Sequence, residues 1–80
     1  MTAVYVLTNL YQFKGEDGEA RDIHSIWTSH AAAVKALESF ADSVPGEFNG
    51  PDYYSVDLPA NSEVDYDIYL IQEWDARDAY

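Results

Sequence analysis

Between Glu63 and Asp75 the chain alternates between two kinds of residue. The odd positions read Glu63, Asp65, Asp67, Tyr69, Ile71, Glu73 and Asp75, and the even positions read Val64, Tyr66, Ile68, Leu70, Gln72 and Trp74. Successive side chains of a strand point to opposite faces. The pattern therefore predicts a strand from Glu63 or Val64 to about Trp74. It is expected to bury Val64, Tyr66, Ile68 and Leu70 and to turn a row of carboxylates to water. Neighbours along one strand face lie about 6.5 to 7 Å apart, so the row would be evenly spaced negative charge.

Other segments read as follows. Val4 to Leu10 (VYVLTNL) is β-prone and apolar at most positions on both faces, as for a central strand. Lys14-Gly15-Glu16-Asp17-Gly18 is a turn signal, and Ala20 to Trp27 reads as a second strand interrupted by Asp22 and His24. Ser29 is a suitable N-cap for a helix from His30 to about Asp42. Ala31, Ala32, Ala33 and Ala36 favour that helix. Ala33, Val34, Leu37, Phe40 and Ala41 recur at the spacing of one buried face, and Lys35, Glu38, Ser39 and Asp42 fall on the other side. Pro45-Gly46 stops the helix, and Asn49-Gly50-Pro51 prolongs a loop. Tyr53 to Leu58 predicts a third strand with Tyr54, Val56 and Leu58 on one face, and Pro59-Ala60-Asn61-Ser62 a turn. The tail from Asp75 to Tyr80 is expected to fray. The order is ββαββ, an α+β fold with one mostly antiparallel four-stranded sheet and one helix on one face. Residues 1–80 form a single small domain.

Charge changes this picture most. Fifteen Asp and Glu oppose four Lys and Arg, for a formal net charge of −11. Such a chain repels phosphates, which argues against DNA, RNA or an anionic membrane as a direct ligand. Lys14, Arg21, Lys35 and Arg77 are scattered and form no basic patch. Apolar residues make up 48% of the chain, too many for a disordered one. With no cysteine there is no disulfide, zinc–cysteine site or thiol nucleophile. Small secreted domains usually need such staples, so a cytoplasmic location is expected. The N-terminus lacks a basic, then apolar, run, and no apolar stretch is long enough to span a bilayer; neither a signal peptide nor a membrane segment is expected.

The candidate chemistry is sparse. Asp65 and Asp67 would share a strand face, a minimal hard-metal site that lacks further oxygen ligands. The acidic turn Glu16-Asp17-Gly18-Glu19 reads as solvated turn chemistry. His24 and His30 lack the spacing of a helical metal pair. Ser, His and Asp are present without a nucleophile elbow, and 80 residues leave little room for a shaped pocket. No catalytic residue, metal or cofactor is expected. Among the aromatics, Tyr54 and Tyr66 are assigned inward, and Tyr53 and Tyr69 outward among the acids, where an aromatic can anchor a partner's arginine.

VYVLTNL, IHSIWTSHAAAVKAL and YYSVDL together resemble a group of small prokaryotic and phage proteins. These have an opening Val-Tyr-Val-Leu strand, a strand ending in aromatic-Thr/Ser-Ser, and an alanine-spaced helix before a closing strand. That resemblance implies the fold and no activity. In size and acidity the chain also resembles, as a class, phage anti-CRISPR and anti-restriction proteins, several of which act as DNA mimics.

The expected function is a non-enzymatic inhibitor, monomeric or dimeric, in the host cytoplasm. Its partner would be a basic nucleic-acid-binding protein, a CRISPR effector or other defence nuclease. The expected contacts are Asp57, Glu63, Asp65, Asp67, Tyr69, Glu73 and Asp75. Two alternatives stand beside it: an acidic protein of a salt-adapted organism, and a regulatory or immunity-type subunit that recognises one protein by shape.

Overall fold

The computed structural model describes residues 3–75. The elements are β1 (Ala3–Phe13), β2 (Ala20–Trp27), α1 (His30–Ser43), β3 (Gly46–Phe48), β4 (Tyr53–Val56) and β5 (Val64–Asp75). The strands form one antiparallel sheet in the order β2-β1-β5-β4-β3. The fold is α+β with one helix, as expected. The sheet has five strands, however, not four, and the order is ββαβββ. The tail beyond Asp75 lies outside the described residues.

The extra strand, β3, occupies a segment expected to be loop. Pro45-Gly46 does stop the helix, but Gly46 also lets the chain approach β4 closely. A Cβ on Gly46 would lie 2.2 Å from the Ser55 carbonyl oxygen and 2.7 Å from the Tyr54 ring. Asp57 N–H closes the ladder on the Pro45 carbonyl at 2.9 Å, and the Tyr54 hydroxyl donates to the Val44 carbonyl. Gly46→Ala is therefore expected to destabilise the domain by about 1–3 kcal/mol, the usual cost of an added methyl without room. The urea midpoint measures it; an unchanged midpoint would mean that β3 is not held where this contact places it.

The helix follows its sequence signals. Ser29 Oγ accepts the Ala32 N–H at 3.1 Å, which satisfies one donor of the first turn. Ala33 and Leu37 are fully buried, and Val34, Ala36, Phe40 and Ala41 pack beside them. Beneath lie Leu7 of β1, Tyr54 of β4 and Ile71 of β5, bordered by Tyr5, Trp27, Val56 and Tyr69.

This placement corrects the expected facing of β5. The helix covers the odd positions, at Tyr69 and Ile71, and leaves Tyr66, Ile68 and Leu70 half-buried on the opposite face, while Val64, beyond a register shift, pairs with Phe13. Both faces of β1 and β5 offer apolar residues, and the helix takes the one that also carries Leu7 and Tyr54. Length then limits the cover. A 14-residue helix is about 21 Å long, whereas a 12-residue strand spans about 40 Å. The helix shields the sheet from Tyr5 to Tyr69, and the end of the helix-side face that carries Tyr11 and Asp67 lies beyond it. On the other face, Val6 and Thr8 of β1 are 0% exposed and Leu10 is 8% exposed.

Candidate acidic surface

Pairing register brings distant acids together at one end of the helix-side face. On β1, Asn9 is opposite Asp22 of β2 and Tyr69 of β5, and Tyr11 is opposite Asp67. Asp22 and Asp67 thus flank β1 from either side. The Tyr11 hydroxyl donates to Asp22 Oδ2 at 2.9 Å. Asn9 Nδ2 donates to Asp67 Oδ1 at 2.5 Å and to the Ile68 carbonyl at 3.0 Å. Asp65 is exposed beside them, where the register shifts between Gln12 and Phe13. At the same end of the sheet, but on the face turned away from the helix, Tyr66 donates its hydroxyl to Glu19. Phe40 packs on Tyr69 and His24, so the last turns of the helix lie next to this group. The last helical turn contains no basic residue, so the negative end of the helix dipole adds to the field.

The tyrosine hydroxyls register that field. The hydrogen bond to Asp22, then its charge, raises the pKa of Tyr11. Tyr66 is pushed up to about 12, first by its hydrogen bond to Glu19. A carboxylate acceptor favours the neutral phenol, which can donate, over the phenolate, which cannot. Ultraviolet titration should therefore show a tyrosine ionising near pH 12, against an ordinary value of 10.0. Glu19→Gln should bring that ionisation down towards 10; no movement would mean that the Tyr66–Glu19 bond does not form in solution.

The expected contact row is divided. Tyr69 does not stand out among the acids: its ring centroid lies 4.1 Å from that of Phe40, and burial is the main cause raising its pKa. With Ile71 it occupies the stretch beneath the helix. Asp65 and Asp67 lie at one end, and Glu73 and Asp75 at the other. There Glu73 is the register partner of Tyr5 and raises its pKa by accepting its hydroxyl. The Tyr5 ring meets His30 edge-on, and His30 Nε2 is 2.8 Å from Asp52 Oδ1. Glu63 precedes β5 and accepts Lys14 N–H through its carbonyl. Asp57 is exposed just after β4. Sequence reading missed Asp22, Tyr11 and Asn9 as parts of the acidic group, because only the β1–β2 and β1–β5 registers bring them together.

Counter-cations are scarce. Among the described residues, His30 and Asp52 are within ion-pair distance, and Lys14, Arg21 and Lys35 pair with no carboxylate. No cluster of three or more His, Asp or Glu side chains among them is arranged to hold a metal ion. No helix among them is long and apolar enough to cross a membrane. No protein-family model, curated protein or solved structure matches the chain.

Proposed function

We propose that this domain is a non-enzymatic binding protein that occludes a positively charged, nucleic-acid-binding surface of a partner protein. Its carboxylates take the place of phosphates. The observation that carries this reading is how the acids are held. Asp22 and Asp67 are fixed by neutral donors, Tyr11 and Asn9. Lysine or arginine would hold them as firmly but cancel the charge. Neutral donors fix the geometry and leave the charge free for a cationic partner, and a positioned charge loses less entropy on binding. Within this reading the partner is a CRISPR effector or another defence nuclease, and the resemblance to anti-restriction and anti-CRISPR proteins in size and acidity points the same way.

The test is competition. A panel of CRISPR effectors and restriction nucleases, each loaded with labelled duplex DNA, is titrated with the domain. Displacement of DNA from a member of the panel, without binding of the domain to free DNA, supports the proposal. Loss of structure in low salt with no displacement from any member would support salt adaptation of the fold instead, since unscreened charges then repel within the chain.

A further inference from the structure

The sheet face turned away from the helix differs in charge from the rest of the molecule. On β1, β2 and β5 it presents Val4, Ile23, Ile26, Ile68, Leu70 and Trp74, among other neutral residues. Ile23 is 50% exposed and Ile26 58% exposed. The described chain is only 17 Å thick along its shortest axis. That accommodates a sheet and one helix layer about 10 Å apart, with no second layer of described residues over this face. Asp22, Asp67 and Glu73 all lie on the other side.

Two charged residues do belong to this face, and their positions are specific. Register links Arg21 of β2 to Leu10, Leu10 to Ile68, Ile68 to Ser55, and Ser55 to Glu47 of β3. Arg21 and Glu47 therefore end the same cross-strand row, one on each outer strand of the sheet. Neither is in an ion pair among the described residues. Glu19, bonded to Tyr66, sits at a corner of the face and stays at its rim.

We propose that this face binds a second copy of the chain, sheet against sheet, about a two-fold axis lying along β5. Such an axis carries each edge of the sheet onto the opposite edge at the same height. Arg21 of each copy then meets Glu47 of the other, twice. Ile68 and Leu70 meet their own counterparts along the axis, as an isologous contact requires. Packed sheets turn by about 30° relative to one another, a displacement at the outer strands that long Arg and Glu side chains can span. Contact over a central stretch of roughly 25 by 19 Å on each copy removes about 1,000 Å², the lower end for a specific interface. Charge selects the occupant: copies at −11 repel through every other surface, and this one is neutral with a matched cation and anion. The helix-side acids stay outside the contact, so the dimer stands independently of the proposed inhibitory role.

Sedimentation equilibrium from micromolar to several hundred micromolar tests the proposal. The wild type is expected to reach twice the monomer mass. Arg21→Glu and Glu47→Arg each replace two attractive contacts by repulsive ones. Either alone should raise the dimer dissociation constant about ten-fold. The double variant restores both pairs and should return to within about two-fold of wild type. Both side chains are exposed, and circular dichroism verifies that each variant folds. A monomer at all concentrations, or a dimer indifferent to the single reversals or not restored by the double one, overturns the proposal.

Discussion

Replacing Leu37 by alanine is expected to cost the domain about 2–5 kcal/mol, measured as a drop in unfolding free energy in urea. Leu37 is 0% exposed and sits in the cluster with Leu7, Ile71 and Tyr54. The loss has two parts: the transfer of the removed methyl groups, and the cavity that remains. The cavity closes poorly here, because Leu7 and Ile71 stand on two long strands paired to each other along nearly their whole length. Against a total stability of about 5–15 kcal/mol, less for a domain this small, that is a large fraction. The same truncation at Ile26, which is 58% exposed on the opposite face, should cost the monomer well under about 1 kcal/mol. A small loss at Leu37, or equal losses at the two sites, would show that the helix is not packed on this side of the sheet.

The contrast between Leu37 and Ile26 also marks how far the sequence could be read. Helix position and inner face were legible because Ser29, the alanine run and the spacing of Ala33, Leu37 and Phe40 act locally. The long strands were legible for the same reason. Which sheet face the helix covers was not. β5 carries apolar residues on both faces, Ile68 and Leu70 on one and Tyr69 and Ile71 on the other, and strict alternation favours the wrong one. The outcome depends on β4, which adds Tyr54, and on Gly46, whose missing side chain lets β3 dock. Both are tertiary effects without a local signal. The acidic group was legible only in part. Asp65 and Asp67 stood out by alternation. Asp22 read as an interruption of β2, yet it is the residue that faces Asp67 across Asn9 and Tyr11.

That placement of Asp22 shapes the remaining expectation, for the proposed complex with a cationic partner. Reversing both Asp65 and Asp67 to lysine should weaken it about a hundred-fold, taking roughly 1.5 kcal/mol or more for each close charge pair lost. Reversing Glu38 and Asp42, exposed on the outer side of the helix, should change it less than about three-fold. Affinity should fall as salt rises, because each carboxylate acts where a phosphate would, with the signs of phosphate recognition exchanged. Asp67 also accepts the Asn9 amide, so charge and structure must be separated. Asp67→Asn can keep an acceptor for that amide while removing the charge. If the complex depends on charge, Asp67→Asn should weaken it by an intermediate amount and Asp22→Asn should add to that loss. Equal sensitivity at the helix pair, or indifference to ionic strength, would mean that shape and not the charge of this end of the sheet holds the partner. A fixed acidic group predicts the opposite ordering, since charges held by Tyr11 and Asn9 in one geometry can match a partner's cations, whereas acids on the outer helix only add to the general field.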